Sequence, residues 1–114
     1  MTLRNYQGAI ADYTKVIQLS PSANAYSDRG FALAALSKYR EAIADYDRAI
    51  SLVPKHYTAH YGRGLARVNL GDKKGALSDL QRAESNYREG MGEGNLDQPL
   101  YQQIIRAIEQ LQQQ

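Results

Sequence analysis

The chain has 114 residues, 43% of them hydrophobic, and a formal net charge of +2. That composition is globular rather than disordered, and its interspersed charges argue against nucleic acid or an anionic membrane as a partner. With no cysteine, disulfides and thiolate metal sites are excluded, and the longest apolar run, Phe31 to Leu36, is far too short for a membrane span. No apolar signal segment opens the sequence, so a soluble protein is the default, with the cytoplasm as default compartment.

In chain order, a first helix is expected over about Asn5 to Leu19, standing without a partner of its own. Two hairpins of antiparallel helices follow: Ser22–Leu36 with Tyr39–Leu52, and Lys55–Leu70 with Lys73–Arg88. Their apolar residues recur at three and four positions, the mark of one buried helical face. Tyr39, Ala42, Ile43, Tyr46, Ala49 and Ile50 form one such face. Tyr26, Gly30, Phe31, Leu33, Ala34 and Leu36 form another. Pro54 cannot continue the helix before it, and Gly71-Asp72 reads as a helix end followed by a fresh N-cap. Glu89 to Pro99 is glycine-rich and reads as a flexible linker, centred on 91–98. A last helix is expected over 97–113, with Asp97 as N-cap and Pro99 in its first turn. Its stripe of Leu100, Ile104, Ile105, Ile108 and Leu111 suits a cap that covers the preceding hairpin, with a glutamine-rich face toward water.

The decisive feature is self-similarity. Leu3, Leu36 and Leu70 align, followed at matching offsets by Ala9, Ala42 and Ala76, then Asp12, Asp45 and Asp79. Tyr13, Tyr46 and Leu80 come next, then Val16, Ala49 and Ala83. The step is 33 residues and then 34, the difference falling between Pro21 and Gly30. A period of this length means stacked supersecondary units, each hiding its neighbour's apolar flank. One domain over 1–114 is therefore expected, with an incomplete unit at 3–21, full units at 22–55 and 56–90, and the cap.

The pattern resembles the tetratricopeptide repeat. Tyr26, Gly30, Ala42, Tyr46, Ala49 and Pro54 follow that family's order of aromatic, small and proline positions. Gly64, Ala76, Leu80 and Ala83 follow it in the next unit, where His60 replaces the early aromatic and Arg88 the proline. The resemblance spans about Leu3 to Arg88. It implies an all-α, right-handed superhelical stack of hairpins and a protein-interaction scaffold or adaptor. The implied partner is a protein or peptide held in the concave groove of the first helices, lined here by Asn24, Ser27, Phe31, Ala34, Thr58, Tyr61, Leu65 and Val68. The clamp for acidic chaperone tails in some relatives needs lysine and asparagine where Ser27, Phe31 and Gly62 stand. An apolar or tyrosine-rich peptide is therefore expected instead.

Arg29 and Arg63 precede the repeat glycines, and Asp12, Asp45 and Asp79 recur with the unit. Because both signs repeat together, structural Arg–carboxylate pairs between helices are expected rather than a ligand-binding basic row. His56 and His60 share a helical face at metal-ligand spacing, but no third ligand has an obvious place, and an aromatic cluster of His60 with Tyr57 and Tyr61 is the expectation. No arrangement of nucleophile, base and acid suggests an enzyme, and no cofactor or nucleic acid is implied. The unpaired first helix is a problem of its own, because Tyr6, Ile10 and Ile17 threaten to leave apolar surface uncovered. A longer array, self-association with a second copy, or rotation of the helix onto the following pair would each resolve it.

Overall fold

The computed structural model describes residues 3–114, apart from the side chains of Leu3, Arg4 and Glu93. The first two residues of the expected domain lie outside it. The described residues form six α-helices: α1 Leu3–Leu19, α2 Ala23–Ala35, α3 Tyr39–Leu52, α4 Tyr57–Asn69, α5 Lys73–Met91 and α6 Pro99–Gln112. Helices α2 and α3 form one hairpin and α4 and α5 the next, with α1 packed on α2 and α6 on α5. The stack measures 37 × 29 × 25 Å.

The helix boundaries follow from local chemistry. The Ser22 hydroxyl caps α2, accepting from the Ala25 amide at 3.1 Å. Thirty-four positions on, His56 does the same for α4, its ring Nδ1 accepting from Ala59 at 3.1 Å. Lys55 is the extra residue between proline and cap, which accounts for the unequal repeat lengths. Both hairpin turns pass through a left-handed residue, Ser37 at φ 61° and Gly71 at φ 82°. In each, an amide just beyond the helix returns to a carbonyl five residues back, Lys38 to Leu33 and Asp72 to Arg67, both at 2.9 Å.

Two boundaries differ from expectation. α5 runs past Arg88 to Met91 and stops at Gly92, whose φ of 77° suits glycine alone. The segment read as a flexible linker then makes a single 3-10 turn, Glu93–Asn95, tied back by the Tyr87 hydroxyl donating to the Asn95 carbonyl at 3.2 Å. Asp97 does not cap α6. Gln98 holds that position without a side-chain cap bond, and Pro99 begins the helix.

The core runs through the stack as a line of small residues facing large ones. Ala42, Ala49, Ala59, Ala76 and Ala83 are fully buried, as are Tyr46 and Leu80. The Tyr46 ring lies between α2 and α4, so close that a Cβ on Gly30 would meet it at 2.7 Å and one on Gly62 at 2.5 Å. Gly64 plays the same part against Leu80, at 2.9 Å. At the far end, Ile104 and Leu111 of α6 are buried, and Leu111 joins Ala76 and Leu80 in one cluster. Tyrosines add a contact within the last hairpin and from it to α6: Tyr57 meets Tyr87 edge-on with centroids 5.0 Å apart, and Tyr87 meets Tyr101 at 5.4 Å.

Gly62→Ala tests this close approach. The added methyl cannot be accommodated by a ring that is buried on every side, so a loss of roughly 1–3 kcal/mol is expected from overpacking. A urea or thermal melt measures it, and an unchanged midpoint would contradict the packing described.

Candidate interaction surface

Ion pairs with buried carboxylates join the helices of each hairpin. Arg29 of α2 donates from Nε and Nη2 to Asp45 of α3 at 2.7 and 2.8 Å. Arg63 of α4 repeats the fork to Asp79 of α5 at 3.0 and 2.8 Å. The remaining Nη1 of each arginine reaches back to the preceding unit: Arg29 to the Thr14 hydroxyl at 3.2 Å, Arg63 to Asp47 at 2.8 Å. Each arginine therefore joins three helices. A second arginine completes each carboxylate, Arg48 on Asp45 and Arg67 on Asp79, both at 2.7 Å. Asp45 and Asp79 are almost wholly buried, and such a charge is tolerable only when its lone pairs are filled in this way. The bond to Asp45 raises the pKa of Arg29. For Arg63, burial works against the charge, but the bonds to Asp79 and Asp47 outweigh it and its pKa is also raised.

Asp12 departs from the series. It is exposed, and among the described residues it makes no ion pair. The arginines sit sixteen residues before their aspartates.

The groove residues divide. Phe31, Thr58 and Leu65 are half-buried on α2 and α4, Val68 is exposed, and Asn24 is exposed at the start of α2. Phe31 meets the Tyr46 ring edge-on at 5.4 Å, which fixes its direction. Asn24 accepts through Oδ1 from His56 Nε2 at 2.7 Å, linking the first turns of the two groove helices. Ser27 is a correction: it is 1% exposed and cannot touch a ligand, because the close packing of α2 carries it inside. Tyr61 is half-buried against the Ala76–Leu80–Leu111 cluster, beside Ala107 and Ile108 of α6, so its ring serves the cap contact.

His60, expected in an aromatic cluster with Tyr57 and Tyr61, is held by a backbone carbonyl, and His56 serves a helix end. His56 is an N-cap, and its Nδ1 must be unprotonated to accept from Ala59. His60, the counterpart of Tyr26, is buried and donates from Nε2 to the Pro54 carbonyl at 2.9 Å. Burial lowers the pKa of both rings. Tyr57 turns instead to Tyr87, a pairing hidden from the sequence because it joins two helices thirty residues apart.

A stack of helical hairpins with these small–large seats defines a helical-repeat scaffold. The tetratricopeptide-repeat family model matches residues 27–90, and the chain belongs to that family. Among solved structures, the TPR2B domain of yeast Sti1, in a complex with pHsp70, is 28% identical with a TM-score of 0.85, covering 96% of this chain and 85% of that one. The TPR domain of Sgt2 from Aspergillus fumigatus is 27% identical with a TM-score of 0.73, covering 97% and 73%. The Yersinia enterocolitica type III secretion translocator chaperone SycD shares the fold at 16% identity, with a TM-score of 0.84, over 95% and 72%. Comparison with curated protein sequences returns no match. The family is one of protein-interaction scaffolds, and no described helix is long and apolar enough to cross a membrane.

Two predictions test this surface. Asp79→Ala removes the carboxylate shared by Arg63 and Arg67; both arginines are partly exposed and Arg63 keeps Asp47, so the expected cost is roughly 1.5–3 kcal/mol. Asp12→Ala, at the equivalent exposed position, is expected to stay within roughly 0.5 kcal/mol of the parent. Chemical denaturation of the two variants side by side makes the comparison.

The second prediction concerns pH. Both histidines hold fewer protons folded than unfolded, so their contribution to stability is full above the unfolded value near 6.5 and declines below it. The melting temperature is expected to fall between pH 7.5 and 5.5. Replacing His56 by Ser and His60 by Tyr, the residues of the preceding unit, should flatten that slope, and melts across the pH range would reveal it.

Proposed function

We propose that the chain is a scaffold that holds an extended partner peptide along the groove formed by α2 and α4. The observation that carries this reading is the inner row of Phe31, Leu65 and Val68. These apolar side chains stay partly open to solvent on helices pinned from behind by Arg29 and Arg63. Such a row takes apolar side chains of a partner, while Asn24 and Thr58 supply polar groups for its backbone. The likeness to the Sti1 domain supports a peptide in this place. It does not carry the Hsp70 partner over. Phe31 is apolar, Ser27 is buried, and Gly62 lies under the Tyr46 ring, so an acidic tail finds no basic or amide clamp at these positions. An apolar or tyrosine-rich peptide fits the row.

Phage-displayed peptides selected on the immobilised chain test the proposal. Enrichment of apolar and tyrosine-rich sequences is expected, with affinity reduced roughly tenfold or more for the Leu65→Asp, Val68→Asp double variant. Both positions are partly exposed, so the variant should melt near the parent. Peptides held equally well by the double variant, or selection of acidic tails, would refute it.

A further inference from the structure

Helices α2 and α4 carry four charged side chains, Asp28, Arg29, Arg63 and Arg67. The three arginines are taken up by the buried Asp45 and Asp79. Asp28 is left over, and among the described residues it forms no hydrogen bond or ion pair. It stands one turn after Asn24 and one turn before Phe31 on the same face of α2, and it shares a cleft wall with Phe31. The groove therefore sets apolar side chains beside a single unmatched carboxylate.

A basic ring lies nearby but is prevented from answering that charge. His56 is close enough to pull the pKa of Asp28 down. Yet its Nδ1 accepts from the Ala59 amide at 3.1 Å, which requires that nitrogen to carry no proton, and the proton on Nε2 is given to Asn24 Oδ1 at 2.7 Å. Both nitrogens are committed, so the ring that caps α4 is held neutral. Neighbouring atoms meanwhile remove part of the water around the Asp28 carboxyl. This effect is the larger, and the pKa is raised overall although the side chain is exposed. A carboxylate that has shed water without gaining a partner favours a cation that replaces that water.

We propose that Asp28 sets the charge preference of the α2–α4 groove, whose occupant is an extended peptide of a partner protein carrying a lysine or arginine next to its apolar residues. This preference presupposes a peptide in that groove and adds the charge it carries. The ammonium or guanidinium donates to Asp28, and the apolar neighbours lie along Phe31, Leu65 and Val68. The same carboxylate repels acidic peptides, and no arginine of α2 or α4 is free to receive them.

The test selects short random phage-displayed peptides on the full chain and, in parallel, on Asp28→Asn, an isosteric change at an exposed position that should melt with the parent. Sequences enriched on the parent are expected to combine lysine or arginine with apolar residues. Those enriched on Asp28→Asn should keep the apolar residues and lose the basic one. A peptide of the first set, made synthetically and labelled for fluorescence anisotropy, should bind Asp28→Asn roughly tenfold more weakly than the parent, and lose a similar factor when its basic residue is changed to glutamine. The two changes together should cost little more than either alone. Asp28→Lys should prefer the peptide with glutamate at that position. Leu65→Ser with Val68→Ser, which adds no charge, should weaken the basic and glutamine peptides alike. Equal affinity of parent and Asp28→Asn for the basic peptide, or the same basic enrichment on both, overturns the role of Asp28 and leaves the groove standing. Selected peptides insensitive to the serine pair overturn the groove itself, and the charge preference with it.

Discussion

The stack depends on how closely a first helix can approach the second helix of its hairpin. At the narrowest points there is no room for a single methyl group: Gly30 and Gly62 rest on the Tyr46 ring, and Gly64 rests on Leu80. Close approach lets buried side chains on either side reach one another. It also strips water from whatever lies beside the contact. The aspartate one residue before each large side chain is therefore forced into the interior, where a bare carboxylate would be intolerable. The arginine one residue before each glycine is placed to meet it. Packing and pairing are thus one arrangement, in which the glycine makes the aspartate's burial unavoidable and the arginine makes it bearable.

This division of labour explains why the ion pairs and the apolar contacts cannot be weighed on one scale. Buried pairs of this kind add little net stability against a hydrophobic replacement, and their removal is costly mainly because a charge is stranded. The favourable free energy of the stack comes from apolar area, from Tyr46, Leu80, Ile104 and the buried alanines. What the arginines add is register. A guanidinium fork admits one geometry, and its third nitrogen reaches the preceding unit, to Thr14 or Asp47. Sliding one helix past another would break three bonds at once. Helices α2 and α4 are each held in this way to the helices on both sides of them.

Much of this was legible from periodicity. The 33- and 34-residue steps pointed to stacked hairpins, the three-and-four spacing to the buried faces, and the recurrence of both charges to arginine–carboxylate pairs between helices. Such features are local or repeated, and each copy corroborates the other. Features that occur once were harder to read. Ser27 looks like a surface serine in composition, and only the depth of α2 in the stack takes it inside. The spacing of His56 and His60 drew attention to a metal site that lacked a third ligand, and spacing alone does not say that a ring nitrogen caps a helix. Tyr87 and Tyr101 belong to no repeat position, yet with Tyr57 they tie the last hairpin to α6. The glycine-rich segment after α5 read as flexible because glycine permits many conformations, whereas the Tyr87 hydroxyl selects one.

In a repeat protein a departure from the pattern is informative because the other units show what the pattern achieves. His60 in place of an aromatic is balanced locally, by its bond to Pro54. Leu80 in place of tyrosine is balanced by Leu111 of α6, which fills the neighbouring space. α1 carries the pattern's residues, Ala9, Asp12 and Tyr13, in more open surroundings: Ala9 and Tyr13 are half-buried and Asp12 is exposed.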